Sequence, residues 1–256
     1  MQNAVARLGK VTFDFFTEAG EIFSLLGKIL AFSGRLLKDR HLLLNQMVAI
    51  GYNSLPIVLM VGAFTGAVSA WQTHYQIQGY VPIRFLGLAT YKAVVIELGP
   101  VLTALILAGR VGSSIAAELG TMKVTEQIDA LESLAINAVR YLAVPRFFAS
   151  LFMMPILVIF ADFIAVMGAF FVAVSFLAIP TTVFFSEIPK WFLVFDIFAG
   201  LFKALFFGAI IALIGCHIGF ATTGGAEGVG KSTIRSFVLS AILILICDYI
   251  LATVLF

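Results

Sequence analysis

Few side chains in this sequence could do chemistry, and the most telling of them are charges set in apolar surroundings. Glu97, Arg110 and Glu118 lie in one hydrophobic stretch, and Asp162, Asp196, Lys203 and Asp248 lie in others. An ionised group near the centre of a bilayer costs several kcal/mol, about 2.5–3.5 kcal/mol on insertion scales. Such groups therefore face a polar cavity, pair with one another or reach the surface. Arg110 is expected either to pair with a carboxylate on a neighbouring helix or to line a cavity with Glu97. Asp162, Asp196 and Lys203 are expected to pair across helices or to reach outward. No His or Glu chain at helical spacing suggests a proton relay. His217 stands alone on an apolar face and reads as packing.

Two other patterns are weaker. Gly225–Ser232 (GAEGVGKS) fits G-x-x-x-x-G-K-[ST]. That pattern binds phosphate only where a buried strand feeds a helix in a nucleotide fold. Here it sits between two apolar runs, so it reads as a flexible turn, with Ser232 or Thr233 capping the helix that follows. Cys216 and Cys247 lie in apolar runs without metal-ligand spacing and read as buried small side chains. No nucleophile–base constellation, catalytic residue, metal site or cofactor is expected.

The elements that carry these residues follow from composition. Of 256 residues, 61% are hydrophobic and 12% charged, and mean hydropathy is +1.08. Soluble domains are typically about 25% charged, so a polytopic membrane protein is implied. A net charge of +2 gives no argument for nucleic acid. The first residues lack the apolar core and small-residue site of a cleavable signal peptide.

Residues 1–46 interleave charged and apolar positions. Leu8, Val11, Phe15, Ile22, Leu25, Leu26, Ile29 and Leu36 recur mostly at three- and four-residue steps, among six Lys and Arg. This predicts an amphipathic segment in the membrane interface, with a soluble helix packed on a partner as the alternative. Residues 47–256 form the transmembrane part. Spans are expected at about 47–71, 93–119, 147–179, 191–220 and 237–256. The first holds the pair Gly62 and Gly66, spaced for close helix approach, and Trp71 and Tyr75 mark its far end. The third is a 33-residue run, about 50 Å as one helix, and must tilt, project or break near Pro155 or Gly168. Gly99-Pro100 is expected to break the second span or make it re-entrant.

Eleven of the sixteen Lys and Arg fall in residues 1–46, 120–146 and 221–235, and three in the intervening connections. The bias puts the N-terminus and the 120–146 excursion in the cytoplasm. That excursion contains a predicted helix, 124–134. Val124, Ile128, Leu131 and Leu134 mark one face, and Glu126, Asp129 and Glu132 another. Anionic lipid would repel the acidic face, so a soluble protein partner is favoured.

Glu97-Leu-Gly-Pro100, Ala108-Gly-Arg-Val-Gly112, Ala117-Glu-Leu-Gly120, Met122 to Glu132, Arg140-Tyr-Leu, Pro145-Arg146 and Gly225–Gly230 before Ser232-Thr233 resemble the MlaE/YrbE family of ABC-transporter permeases. The likeness covers essentially the whole chain, least in 1–46 and 72–92. It implies an all-α integral membrane protein with an N-terminal interfacial helix and about five spans. It also implies a coupling helix at about 123–134, between spans two and three. The implied partners are a second copy, a cytoplasmic ABC ATPase dimer, a periplasmic MCE-domain hexamer and a small cytoplasmic accessory protein. The implied cargo is phospholipid or a related lipid, moved between inner and outer bacterial membranes. By the same resemblance, Glu97, Leu98, Gly99, Pro100 and Arg110 lie on the substrate path. Lys123, Glu126, Gln127, Ile128, Asp129, Leu131 and Glu132 meet the ATPase. Ile96 stands where some members carry a basic residue. An ion-coupled carrier or channel using the intramembrane charges is the alternative.

Overall fold

The computed structural model describes the backbone of residues 2–35 and 39–256, and the side chains of 13, 16–34 and 39–256. The described residues are almost entirely helical and contain no strand. In a bilayer every backbone N–H and C=O must be satisfied within the protein, which leaves the helix as the open choice for such apolar segments.

Among the described residues five helical runs are long and apolar enough to cross a membrane: Arg40–Ile77, Ile83–Val124, Val139–Ser175, Val194–Phe220 and Gly225–Leu255. Helix α1 (Gln2–Phe32) precedes them. Helices α2 (Arg40–Ile50) and α3 (Leu55–Ile77) make the first. Helices α4 (Leu86–Ala93), α5 (Gly99–Leu107) and α6 (Ser113–Val124) make the second. Helix α7 (Gln127–Ser133) leads to α8 (Val144–Ser175), the third. Short α9 (Thr181–Phe185) precedes α10 (Val194–Phe220) and α11 (Gly225–Leu255).

Several boundaries differ from the sequence reading. The first run begins at Arg40, inside the segment assigned to the interface, because α2 continues through one tight turn into α3. The periodic face of α1 is not left to lipid: Leu25 and Ile29 are buried in the main core, and Leu26 packs beside them. Ile22 packs on Ala116, Ile214 and Ile218. Among its described residues, Phe13, Phe16, Phe23 and Leu30 are the exposed large apolar side chains of this helix. The side chains of Leu8, Val11, Phe15 and Leu36 lie outside the described residues.

Neither Pro100 nor Pro155 breaks a span. Pro155 sits inside the continuous α8. Ahead of Pro100 and Pro145 the chain widens for one turn instead. Over Val94–Leu98 the Gly99 N–H donates five residues back to the Val94 carbonyl. Over Val139–Ala143 the Val144 N–H does the same to Val139. Proline offers no N–H and its ring crowds the carbonyl four residues back, and a π turn relieves both faults without ending the helix. The Val95 carbonyl lies against Gly200 of α10, where a Cβ would strike it.

Helix α3 packs along α8 through the predicted pair. A Cβ on Gly62 would meet Ala161 and Ile164, and one on Gly66 would collide with the Ala165 backbone. Between α9 and α10 Glu187 accepts from Lys190 Nζ at 2.9 Å, and Arg84 lies 3.7 Å away. The Lys190 hydrogen bond, helped by the charges of Lys190 and Arg84, holds the Glu187 carboxyl below the usual range against the cost of burial. This tie is therefore present above the ordinary glutamate pKa and is lost only as pH falls through the lowered one.

Gly66→Val places two methyls against backbone that has nowhere to go. Its expected cost is about 1–3 kcal/mol, read as a fall in melting temperature in detergent; an unchanged melting temperature would refute the close packing of α3 on α8.

Candidate substrate and coupling sites

The charges of the second, fourth and fifth spans converge. Lys203 on α10 is fully buried, with its Nζ 2.6 Å from Glu97 Oε1 and 3.0 Å from Asp248 Oδ1. The Glu97 side chain is 40% exposed, so this carboxylate is the open edge of the cluster and Lys203 its closed interior. Two carboxylates around one ammonium satisfy the buried cation and join three spans. The π turn before Pro100 positions Glu97, because the extra residue per turn shifts the phase of the helix at that point. Lys92 and Asp196 make a second pair, at 3.1 Å, near the N-terminal end of α10.

The other residues of the Glu97 motif face elsewhere. Leu98 lines a seam between α3, α5 and α8 with Val58, Thr65 and Ala161. Gly99 is buried beneath the Asp162 carboxylate, which a Cβ would strike. Pro100 is buried, with its ring beside Gly200. Successive helical residues turn by about 100°, so four neighbours cannot share one cavity wall.

Arg110 is not paired with a carboxylate: among the described residues none lies within 4 Å of it. Its Nη1 donates to Ser54 Oγ, which donates in turn to the Ile50 carbonyl. With Gln46, Ser114 and Glu118 it lines a notch of about 90 Å³. Glu118 takes Ser114 Oγ at 3.1 Å and Arg146 Nη2 at 2.9 Å. Thirteen residues separate Glu97 from Arg110, about 20 Å along a helix. They lie at different depths of the second span rather than in one site.

On the other side of the second span, α6 ends at Val124. Thr125 and Glu126 turn, with Glu126 at φ 60°, and α7 begins at Gln127. The turn resets the phase, so the predicted apolar stripe is only half realised. Ile128 is buried and Leu131 packs on the core, but Val124 belongs to the preceding helix and Leu134 is 71% exposed. Glu126, Gln127, Asp129 and Glu132 are exposed. Lys123 Nζ holds Asp129 Oδ1 at 2.8 Å, which joins the end of α6 to α7 directly.

Two isolated readings change. The glycine-rich stretch is not a loop: α11 starts at Gly225, behind Gly224 at φ 86°. Ser232 bonds Thr222 at 2.8 Å and Thr233 donates to the Gly230 carbonyl, so neither caps a helix. No strand precedes this stretch among the described residues, so it lacks the strand-to-helix setting of a phosphate-binding loop. His217 is not alone either, with its Nε2 3.9 Å from Glu18 Oε1 of α1. Arg235 reaches the same carboxylate at 2.5 Å. The partnership of Lys203 with Asp248, 45 residues apart, escaped the sequence reading. Opposite charges in separate apolar runs were visible, but which runs adjoin was not.

A many-helix membrane core with a short helix exposed beside its second and third spans is the plan of a transporter membrane subunit. The comparisons agree: the family model described as Permease MlaE matches residues 43–254, and the chain belongs to that family of ABC-transporter permeases. It is 40% identical over 256 residues to the probable ABC transporter permease protein of Rickettsia typhi, covering 99% of this chain and 98% of that one. It is 41% identical over 218 residues to a probable ABC transporter permease of Synechocystis, covering 85% and 83%. It is 34% identical over 258 residues to the intermembrane phospholipid transport system permease protein MlaE of Haemophilus influenzae, covering 99% and 98%.

Lys203→Met should leave two carboxylates unpaired at the cost of breaking a buried pair, about 3–5 kcal/mol. Adding Glu97→Gln and Asp248→Asn should restore most of that loss in detergent unfolding. Equal stability of the single and triple variants would show that the cluster does not hold the spans together.

Proposed function

We propose that this multi-pass permease moves phospholipid between the inner and outer membranes of a bacterium, driven by ATP hydrolysed in a separate chain. It works as a homodimer in the inner membrane, with its N-terminus in the cytoplasm. Its partners are a cytoplasmic ABC ATPase dimer, a periplasmic MCE-domain hexamer and a small accessory protein. The observation that carries the reading is the exposed helix α7. It is joined to the second span by Lys123–Asp129 and seated on the core through Ile128 and Leu131. The 34% identity to an intermembrane phospholipid permease over nearly the full length supports the cargo.

In this mechanism closure of the ATPase pair pushes on Glu126, Gln127, Asp129 and Glu132. Ile128 and Leu131 pass the displacement to the core, and Lys123 passes it to α6. The second span then moves Glu97 against Lys203. Lipid tails lie on apolar walls while the headgroup meets the open edge of Glu97, and Arg110 lines the same path further in. An ion-coupled carrier is the second reading, favoured by the buried Glu97–Lys203–Asp248 cluster. It differs in needing no ATPase.

Asp129→Lys with Glu132→Lys should release the ATPase on pull-down and lower lipid-stimulated ATP hydrolysis at least tenfold in the reconstituted complex. Unchanged hydrolysis would rule out α7 as the contact. Glu97→Ala should leave the complex assembled but cut lipid transfer between vesicles severalfold. Transfer that continues without ATP would favour the carrier.

A further inference from the structure

Arg110 carries hydrogen-bond donors to spare at a depth where they are costly to leave. Its run, Ile83–Val124, has 42 residues, about 63 Å as one helix against a hydrocarbon core of about 30 Å. Centring the run on that core puts Arg110 about 5 Å inside the edge on the side where α6 ends. The run Arg40–Ile77 has 38 residues, and the same construction puts Gln46 of α2 about 4 Å outside that edge. Both side chains line the notch of about 90 Å³, with Ala49, Ser114 and Glu118. The notch therefore lies where the headgroups begin.

A guanidinium has five N–H donors. One of those on Arg110 goes to Ser54 Oγ. None of the others is both buried and unpartnered, unlike Arg146 Nε, so they open to the notch. Gln46, half-buried in the same wall, has no hydrogen-bond partner among the described residues. Glu118 is already held, by Arg146 at 2.9 Å and by Ser114 Oγ at 3.1 Å. Arg110, Arg146 and Glu118 together leave one positive charge uncancelled.

We propose that this notch binds a phosphodiester anion, the phosphate of a phospholipid in the leaflet on the α7 side. The Arg110 fork takes two phosphate oxygens, and the Gln46 amide donates to a third. Three features select that chemistry. A lone charge at the edge of the core is costly, and an anion is the partner that the described residues do not supply. One uncancelled charge matches a phosphodiester, which carries a single negative charge, better than a phosphomonoester with about 1.5–2. The notch is far below the roughly 300 Å³ at which small-molecule sites begin, so it holds a headgroup phosphate while the tails stay outside. Free inorganic phosphate offers the same oxygens, and the test separates the two sources. The inference deepens the reading of Arg110 as part of the lipid path and rests on that reading for its role in transport.

The test uses the full complex reconstituted in liposomes, without ATP, and two probes that share one short diazirine-bearing chain. One is a phosphatidylethanolamine and the other a diacylglycerol, which lacks the phosphate. The phospholipid should label residues 46–54 and 110–118 at least fivefold more than the diacylglycerol. Arg110→Gln should erase that preference. Gln46→Glu should erase it too, since it adds a negative charge without touching the Arg110–Ser54 contact, and Ser54→Ala should keep it. All three are read in variants with the wild-type gel-filtration profile. Equal labelling by the two probes in the wild type, or a preference that survives both Arg110→Gln and Gln46→Glu, would overturn the site. An excess of inorganic phosphate, against chloride at equal ionic strength, should leave the label unchanged; a fivefold loss would assign the notch to free phosphate instead. Because the label is read without transport, the two readings fail separately. A wild type that labels here but transfers no lipid keeps the site and loses the path.

Discussion

An ammonium with no exposed surface cannot stand in an apolar core without counter-charges, and the arrangement of three spans follows from that constraint at Lys203. Glu97 reaches it from the second span and Asp248 from the fifth, while α10 holds it between them. Moving an ion from water into a medium of low dielectric costs far more than one exposed pair returns. Only a geometry that brings both carboxylates close is tolerated, which makes the cluster a register pin for the helices around it. The same cluster leaves Glu97 partly open, so one of the groups that complete the packing also keeps a face toward its surroundings.

Backbone requirements shape the rest. Pro100 and Pro145 stand at corresponding places, two residues after a widened turn closed by a hydrogen bond across five residues. In water such a proline often ends a helix. Within an apolar layer, ending the helix would strand several carbonyls and amides, so the chain takes the π turn. The close approaches that replace lost packing use small residues: Gly200 beside the Val95 carbonyl, Gly66 beside Ala165 and Gly99 beneath Asp162. Each removes a Cβ where backbone or a carboxylate occupies its space. At these positions glycine acts as a contact surface rather than a flexible point.

Helix α7 shows how a local pattern and a tertiary turn can disagree. Its apolar residues were legible from spacing, and Ile128 and Leu131 are packed inward. Leu134 is not, because the turn at Thr125 and Glu126 starts a new helix whose phase is independent of Val124. The acidic face was legible too, but not that Lys123 holds Asp129 and so ties this helix to the span before it. The glycine-rich stretch before the fifth span was misread for a related reason. Glycine lowers helix propensity only by about 1 kcal/mol per residue. The contacts of Gly228 with the Thr223 carbonyl and of Ser232 with Thr222 lie outside what propensity counts.

By itself the sequence determined the class of protein and the number of crossings. Long apolar runs and a small charged fraction leave few ways to satisfy backbone polar groups, and the answer is local to each run. The motif blocks from Glu97 to Arg146 carried the family as well. What only tertiary structure decided is which charges meet and which cavities open. Lys203 is far along the chain from both Glu97 and Asp248, and Asp162 is far from Gly99. Which helices adjoin is a property of packing between surfaces, and no period within one helix encodes it. The pairing at Lys203, the seat of Asp162 on Gly99 and the notch at Arg110 are therefore visible only once the spans are assembled.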